Sequence, residues 1–416
     1  MKWWWMIAFG LLTFSCAKKQ ESNEEVKTNL PHFSKVDVED IFTKEENSVA
    51  NEDSLKHLLQ EYYQNTWVGG DLSGGILIAK GNNIIFEQYR GYGRENQQMP
   101  INQNTPLHIA SISKTMTAMA IMKLIEAKKI KLDQDITTLF PKFPYANIKV
   151  IDLLSHRSGL PKYEHFIETL EPKPKELSQS FLTNQDILNL LIRYKPELAR
   201  PTGTGFMYCN TNYALLALII EKVTQKDYPT AMKEMLFAPL EMKHTFVFQQ
   251  KDIAMAAQSF YYKNNKLYPL NNLDLIYGDK NIYTTPRDLL KFSQAMFSKE
   301  FLPSDLKEKI FTPYSNEKKG INNYGLGFRM KIFDNNKKLT YHNGWWHGSN
   351  SVFVHLLDSK VSIIAIGNKF SRRVYSAVAL SGLFDDFPLE TEILKKEMRS
   401  NPNNTADSSP QNDSLQ

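Results

Sequence analysis

Strand-like runs stand at both ends of this 416-residue chain, with a long stretch of helical periodicity between them. Near the start, Gly75-Ile-Leu-Ile-Ala79 and Ile84-Ile-Phe-Glu-Gln-Tyr89 flank Lys80-Gly-Asn-Asn83, a hairpin signal. Near the end, short strand patterns recur at Gly325–Ile332, Lys338–His342, Ser351–Leu357 and Val361–Gly367, followed by a helix near Arg373–Phe384. From Ser111 to about Glu300 the apolar spacing is mostly that of helices, punctuated by prolines from Pro141 to Pro239. Strands cannot bury their apolar faces alone, so distant segments that enclose helices predict one antiparallel sheet built from N- and C-terminal segments. Helices flank it, and a mainly helical subdomain is inserted: an α/β (α+β) fold.

The termini carry a different composition. Met1-Lys-Trp-Trp-Trp-Met-Ile-Ala-Phe-Gly-Leu-Leu-Thr-Phe-Ser-Cys16 gives one positive charge, a short apolar run and a small residue before cysteine, the pattern of a signal peptide over 1–16. Leu-Thr-Phe-Ser-Cys resembles a bacterial lipobox with Thr13 where leucine is usual, which implies lipidation of Cys16 and an exported, cell-envelope protein anchored to a membrane without crossing it. Residues 17–50 read as a flexible tether, 51–390 as the folded body and 391–416 as a disordered tail. After Cys16 only Cys209 remains, so no internal disulfide is available.

The net charge of +5 comes without any block of five like charges, so nucleic-acid binding is not indicated. His156, His165, His342, His347 and His355 form no metal-binding spacing and no glycine-rich phosphate loop follows a strand, so neither metal nor cofactor is expected. Oligomeric state is not readable.

Chemistry concentrates at Ser111-Ile-Ser-Lys114, at the mouth of a helix-patterned stretch. A spacing of three puts hydroxyl and amine on one helical face, and desolvation would lower the amine's pKa so that it can take the serine proton. A helix N-terminus also directs backbone N–H groups toward a developing oxyanion. Ser304-Asp-Leu-Lys307 and Ser315-Asn-Glu-Lys318 share the motif but lie among charged residues, and read as solvated decoys.

Beyond that pair, the chain resembles the serine β-lactamase and penicillin-binding-protein family, in the branch of class C β-lactamases, D-alanyl-D-alanine carboxypeptidases and related esterases. The resemblance rests on six ordered segments: His108-Ile-Ala-Ser-Ile-Ser-Lys-Thr115, Leu153-Leu-Ser-His-Arg-Ser-Gly-Leu-Pro161, Pro201 to Asn210 with Tyr208-Cys-Asn210, Tyr283-Thr-Thr-Pro-Arg-Asp-Leu289, Tyr324-Gly-Leu-Gly327 and His342-Asn-Gly344. It spans roughly residues 55–385 and implies an acyl-enzyme on Ser111, from an ester, amide, D-Ala peptide or β-lactam. Tyr208 would hydrogen-bond Ser111 and Lys114 as a shared base, and Asn210 would hold the acyl portion. His342, Asn343 and Gly344 would bind substrate, with His342 a small cation titrating near neutral pH that orients Tyr208 or a substrate carboxylate. The backbone N–H groups of Ser111 and Trp345 would form the oxyanion hole. The chain departs from the family at Trp345-Trp346, where relatives have small residues and where the indoles would narrow the cleft or form an apolar platform. It departs again at Cys209, read as an inert, partly buried thiol. No glutamate can be assigned as a separate deacylating base. The implied partner is a small-molecule or peptide substrate. The competing reading is a catalytically silent cell-envelope lipoprotein that binds peptide or a protein partner in the same cleft, motivated by Trp345-Trp346 and the missing third-motif lysine.

Overall fold

The structure is a computed structural model that describes Met1 and residues 33–94, 98–318, 320–385 and 387–389. The signal segment with Cys16, the first part of the expected tether and the expected tail lie outside the described residues.

Seven antiparallel strands form the central sheet: β1 (Gly74–Lys80), β2 (Asn83–Arg90), β3 (Asn322–Tyr324), β4 (Arg329–Ile332), β5 (Lys338–Trp346), β6 (Ser349–Leu356) and β7 (Val361–Gly367). Their order is β2-β1-β7-β6-β5-β4-β3, so the N-terminal hairpin joins the C-terminal meander where β1 pairs with β7, with Gly74 opposite Gly367 and Lys80 opposite Val361. That union of the chain's two ends is the architecture the strand pattern implied. β6 and β7 are buried at every position because both faces of the sheet are covered, and their central stretches, Val352–Val354 and Ile363–Ile366, are continuous apolar runs.

Alternate side chains feed two cores. Ile76, Ile78, Val352, Val354, Ile363 and Ala365 pack on one face beneath the terminal layer, where helix α1 (Glu52–Tyr62) contributes Leu59 and Tyr62 and the 3₁₀ helix Arg372–Leu383 contributes Val374 and Leu380. Leu77, Phe353, Ile364 and Ile366 pack on the other face toward the helical subdomain. Two helices form the centre of that subdomain, α2 (Ser113–Glu126) and α3 (Asn210–Thr224). Every residue of α2 from Ser113 to Leu124 is buried, the polar Ser113, Lys114, Thr115, Thr117 and Lys123 included, so the helix is enclosed on all sides within a large core.

Two expectations change. Residues 33–50 are not a tether: Val36 and Phe42 are buried, the Val36 N–H donates to the Pro239 carbonyl at 3.1 Å, and a Thr43-capped turn at Lys44–Asn47 packs on the first hairpin through Asn47. Polar composition masked two apolar anchors, and the body begins before residue 51. The middle section is also less helical than its periodicity suggested. It holds a small sheet of Leu107–His108, Ile282–Thr284 and Phe246–Val247, and residues 253–281 run mostly as turns that return to α2.

Candidate active site

Ser111 lies in the single 3₁₀ turn Ala110–Ile112 that leads into α2. Ala110 takes the left-handed conformation with φ of 47°, uncommon for a residue with a side chain and of the kind that surrounding structure must enforce. That enforcement is visible: the Ile109 N–H donates to the Ile282 carbonyl at 3.0 Å, the Ser351 hydroxyl donates to the Ile109 carbonyl at 2.7 Å, and the Ile282 N–H donates to the Ser113 hydroxyl at 3.1 Å. One turn on, Lys114 is fully buried, with its ammonium 3.1 Å from Ser111 Oγ and 2.8 Å from the Asp279 carbonyl oxygen. The serine–lysine pairing expected from spacing is therefore present in space.

Strand β5 closes the other side. A side chain at Gly344 would put its Cβ 2.3 Å from the Ile109 carbonyl oxygen and 3.1 Å from Ala110 Cβ, so only glycine lets the strand lie against the nucleophile turn. This approach seats β5 against Ile109 and Ala110, the residues that lead into Ser111. By alternation His342, Gly344 and Trp346 share the face toward the turn, while Asn343 and Trp345 take the other.

Tyr208 arrives from the loop before α3. Its ring lies under the Lys114 ammonium at 4.9 Å and under the Arg329 guanidinium at 4.8 Å, but its hydroxyl makes no hydrogen bond to Ser111 or Lys114, so the expected shared hydrogen bond is replaced by cation–π contact. His156 supports the ring from below with centroids 4.4 Å apart. Its Nδ1 accepts from the Cys209 N–H at 3.2 Å and from Asn212 Nδ2 at 3.1 Å, which fixes the turn that presents Tyr208. The sequence held this signal in the Leu-Ser-His segment, but periodicity does not reveal that this histidine reaches across to Tyr208.

His342 corrects another expectation. It is fully buried, its Nδ1 donates to the Asn343 carbonyl at 2.7 Å, and its Nε2 accepts from the Tyr324 hydroxyl at 3.2 Å. Burial, with the positive charges of Arg329 and Lys114 adding to it, holds its pKa well below the usual histidine range. It is therefore a neutral support for Tyr324 and not a cation at neutral pH. Sequence reasoning missed Arg329, on β4 opposite Tyr341, which carries positive charge to the Tyr208 ring and whose Nε is buried with no partner. Asn343 shares the face of Tyr341, and its Oδ1 is likewise buried and unpaired. Gly327, at φ of 87°, puts this turn against α2: an added Cβ would meet Ala118 Cβ at 2.5 Å.

On the far side of Tyr208, Asn210 donates its amide Nδ2 to the Glu164 carboxylate. Tyr163 donates its hydroxyl to Asp279 at 2.9 Å and receives the Lys280 ammonium, which also lies 4.5 Å from the Trp346 ring. The Trp346 indole N–H donates to Asp274 at 2.6 Å. Of the two indoles, Trp346 is thus tied into the helical side of the site, whereas Trp345 is 42% exposed beside Phe370. Cys209 is buried, with its thiol against the Leu160 carbonyl at 3.2 Å, and burial pushes its pKa up to about 12, matching the inert reading. Among the described residues no group of three His, Cys, Asp or Glu side chains could hold a metal ion, and no described helix is long and apolar enough to cross a membrane.

Comparison with known proteins places this site in context. The family model described as Beta-lactamase matches residues 57–380. Penicillin-binding protein 4* of Bacillus subtilis is 28% identical over 341 residues, covering 78% of this chain and 74% of that protein. Teichoic acid D-alanine hydrolase of Staphylococcus aureus is 28% identical over 313 residues, covering 73% and 72%. The crystal structure of a penicillin-binding protein from Bacillus halodurans superposes with a TM-score of 0.67 at 24% identity, over 81% of this chain and all of that one, a likeness of fold. Because the family match covers residues 57–380, and with them the central sheet, the helical subdomain and the Ser111–Lys114 pair, this chain belongs to the β-lactamase family and is a serine hydrolase.

Proposed function

We propose that Ser111 is the nucleophile of a hydrolase that passes through an acyl-enzyme, with D-alanyl esters or amides as its substrate class. The observation that carries the chemistry is the fully buried Lys114, whose Nζ lies 3.1 Å from Ser111 Oγ. In its neutral form the Lys114 amine takes the proton of Ser111 as Oγ attacks the carbonyl carbon. The carbonyl oxygen becomes the tetrahedral oxyanion facing the N–H groups of Ser111 and Trp345. Collapse breaks the ester or amide bond, and the leaving alcohol or amine takes a proton from the Lys114–Tyr208 group. Water then attacks the ester on Ser111 and restores the serine. The acyl class is supported by the similarity to a teichoic acid D-alanine hydrolase.

Export and lipid anchoring through Cys16 belong to the same proposal, supported by the sequence pattern of residues 1–16. Metabolic labelling with a fatty acid, lost in Cys16→Ala, tests it.

Intact-mass spectrometry after brief exposure to p-nitrophenyl acetate tests the nucleophile. A single acetyl adduct absent from Ser111→Ala is the expected result; an adduct retained in that variant overturns the assignment.

A further inference from the structure

The end of β5 is held by one carboxylate. Asp274, whose side chain is 3% exposed, accepts the Trp346 indole N–H at 2.6 Å and the His347 Nε2–H at 2.9 Å on Oδ1 and 3.0 Å on Oδ2, and the Asn271 N–H also donates to it. Taking a carboxylate out of water is costly, and here that cost is offset by the donors gathered around it. His347 sits in the tight turn between β5 and β6 with φ of 51°, a conformation that asparagine or glycine adopts more readily, so its imidazole bond helps keep the turn in place. Through its main chain the same aspartate reaches the nucleophile's side. The Asp274 carbonyl accepts from Asn281 Nδ2 at 2.7 Å, and Asn281 Oδ1 accepts the His108 Nε2–H at 3.1 Å. The Asn281 amide is oriented by this pattern, since its Nδ2 also donates to the Ile276 carbonyl at 2.6 Å. His108 stands just before the Ser111 turn, Trp346 directly follows Trp345, and the Asp279 carbonyl between the two anchors binds Lys114. One stretch, residues 274–281, thus bonds the strand before the nucleophile, the lysine amine and the end of β5.

We infer that Asp274 is a positioning residue for acylation: it sets the end of β5, and with it the Trp345 N–H, relative to the turn that carries Ser111. The inference rests on the acyl-enzyme reading with Trp345 as an oxyanion donor, and names what aims that donor. Strand pairing does not do so alone. The pairing of β5 with β4 ends at Tyr341, so from His342 to Trp346 the strand is bonded to β6 on one side only, and side chains set its place on the other. An oxyanion donor works only if it is aimed before the reaction, and a misplacement of about 1 Å costs on the order of a hundredfold in rate. The contact is not part of a close-packed core: Asp274, Asn281, Trp346 and His347 border a cavity of about 220 Å³ that the exposed Leu267 and Leu270 also line. Water can therefore replace a lost bond at Asp274 without collapse of the fold.

The test uses the whole protein, with p-nitrophenyl acetate as substrate and phenylboronic acid as inhibitor. Boron takes Ser111 Oγ as its fourth ligand while the serine proton passes to Lys114, and the tetrahedral adduct puts an oxygen where the oxyanion would stand. Asp274→Asn keeps the size of the side chain but removes its charge and one acceptor. It should lower kcat/KM by about tenfold or more and weaken boronic-acid inhibition by the same factor, with circular dichroism unchanged. Trp346→Phe, which removes the indole N–H and keeps an aromatic ring, should do the same to a smaller degree, and adding it to Asp274→Asn should cost little more because both break one bond. If Asp274→Asn does not fold, Trp346→Phe alone gives the answer. A purely structural role would shrink the active fraction, lowering the rate while the inhibition constant stays that of the wild type. That result, or wild-type behaviour in both variants, overturns the inference and leaves the hydrolase reading standing as long as Ser111 is acetylated. A wild type that is neither acetylated on Ser111 nor inhibited overturns both.

Discussion

The imidazole Nδ1 of His156 accepts the backbone N–H of Cys209 from 3.2 Å, and this bond makes a buried histidine part of the Tyr208 turn. Nδ1 must stay unprotonated to accept it, and burial with the nearby charges of Lys114 and Arg329 holds the pKa well below the usual range. His342 is held low in the same way, and burial lowers His108 to about 4 and His355 to about 3. All four are neutral in the fold, whereas the unfolded chain binds protons to them once pH falls below about 6.5. Stability is therefore full above that pH and is lost below it, at up to about 1.4 kcal/mol per histidine per pH unit until each folded pKa is reached. Urea unfolding at pH 7.5 and 5.5 should show a loss on the order of 5 kcal/mol, and His355→Asn should have a shallower dependence. A flat profile between those pH values contradicts neutral burial.

Gly344→Ala should remove activity without unfolding the protein. The new methyl would lie 2.3 Å from both the Ile109 carbonyl oxygen and Ser351 Oγ, so β5 must withdraw from the nucleophile turn and take the Trp345 N–H with it. Loss of one oxyanion donor costs roughly 10²–10³ in kcat. Turnover of p-nitrophenyl acetate, with circular dichroism as a control for folding, checks this. Unchanged kcat would mean that the Trp345 N–H takes no part.

Most of the sheet was legible because β1 and β7 are apolar runs of the right length at the two ends of the chain, and β7 is found at Val361–Gly367 as read; the strand read at Gly325–Ile332 is instead β3 and β4 paired around a turn, because Gly325 and Gly327 fold the chain back there. Ser111 and Lys114 were legible because a spacing of three on one helix is local geometry, and their 3.1 Å contact needs no tertiary information beyond α2 itself. What the sequence hid is whatever depends on a second segment. Arg329, Glu164 and His156 reach the site from a strand, a short helix and a turn; only His156 stands in one of the ordered segments, and its neighbours do not show that it reaches Tyr208. His342 misled for a related reason: its charge state is set by burial and by Arg329, thirteen positions away in sequence but electrostatically close in the fold. Residues 33–50 misled because Val36 and Phe42 are too sparse in a polar stretch to register as core.

Cys209 should resist thiol reagents in the native protein. Its sulfur is fully buried against the Leu160 and Pro161 carbonyls, and the thiolate that reacts is suppressed by a pKa near 12. Ellman's reagent should modify it only on unfolding, so the labelling rate should rise with urea in step with the loss of circular dichroism. Fast labelling in buffer would show that the Tyr208 turn opens locally.

Arg329 rather than His342 should decide how the cleft treats anionic substrates. His342 is neutral, and Lys114 is engaged by Ser111 and the Asp279 carbonyl, which leaves the Arg329 guanidinium, with its unpaired Nε, as the cation over Tyr208. A charge-assisted hydrogen bond to a substrate carboxylate contributes about 1.5–3 kcal/mol, or roughly 10–100-fold in kcat/KM. Arg329→Gln should therefore depress turnover of a D-alanyl peptide with a free C-terminal carboxylate by that factor relative to its C-terminal amide, while Arg329→Lys restores part of the ratio and His342→Gln moves it little. If Arg329→Gln slows both substrates equally, the guanidinium acts on the substrate through its contact with the Tyr208 ring alone, and the carboxylate is held by another group.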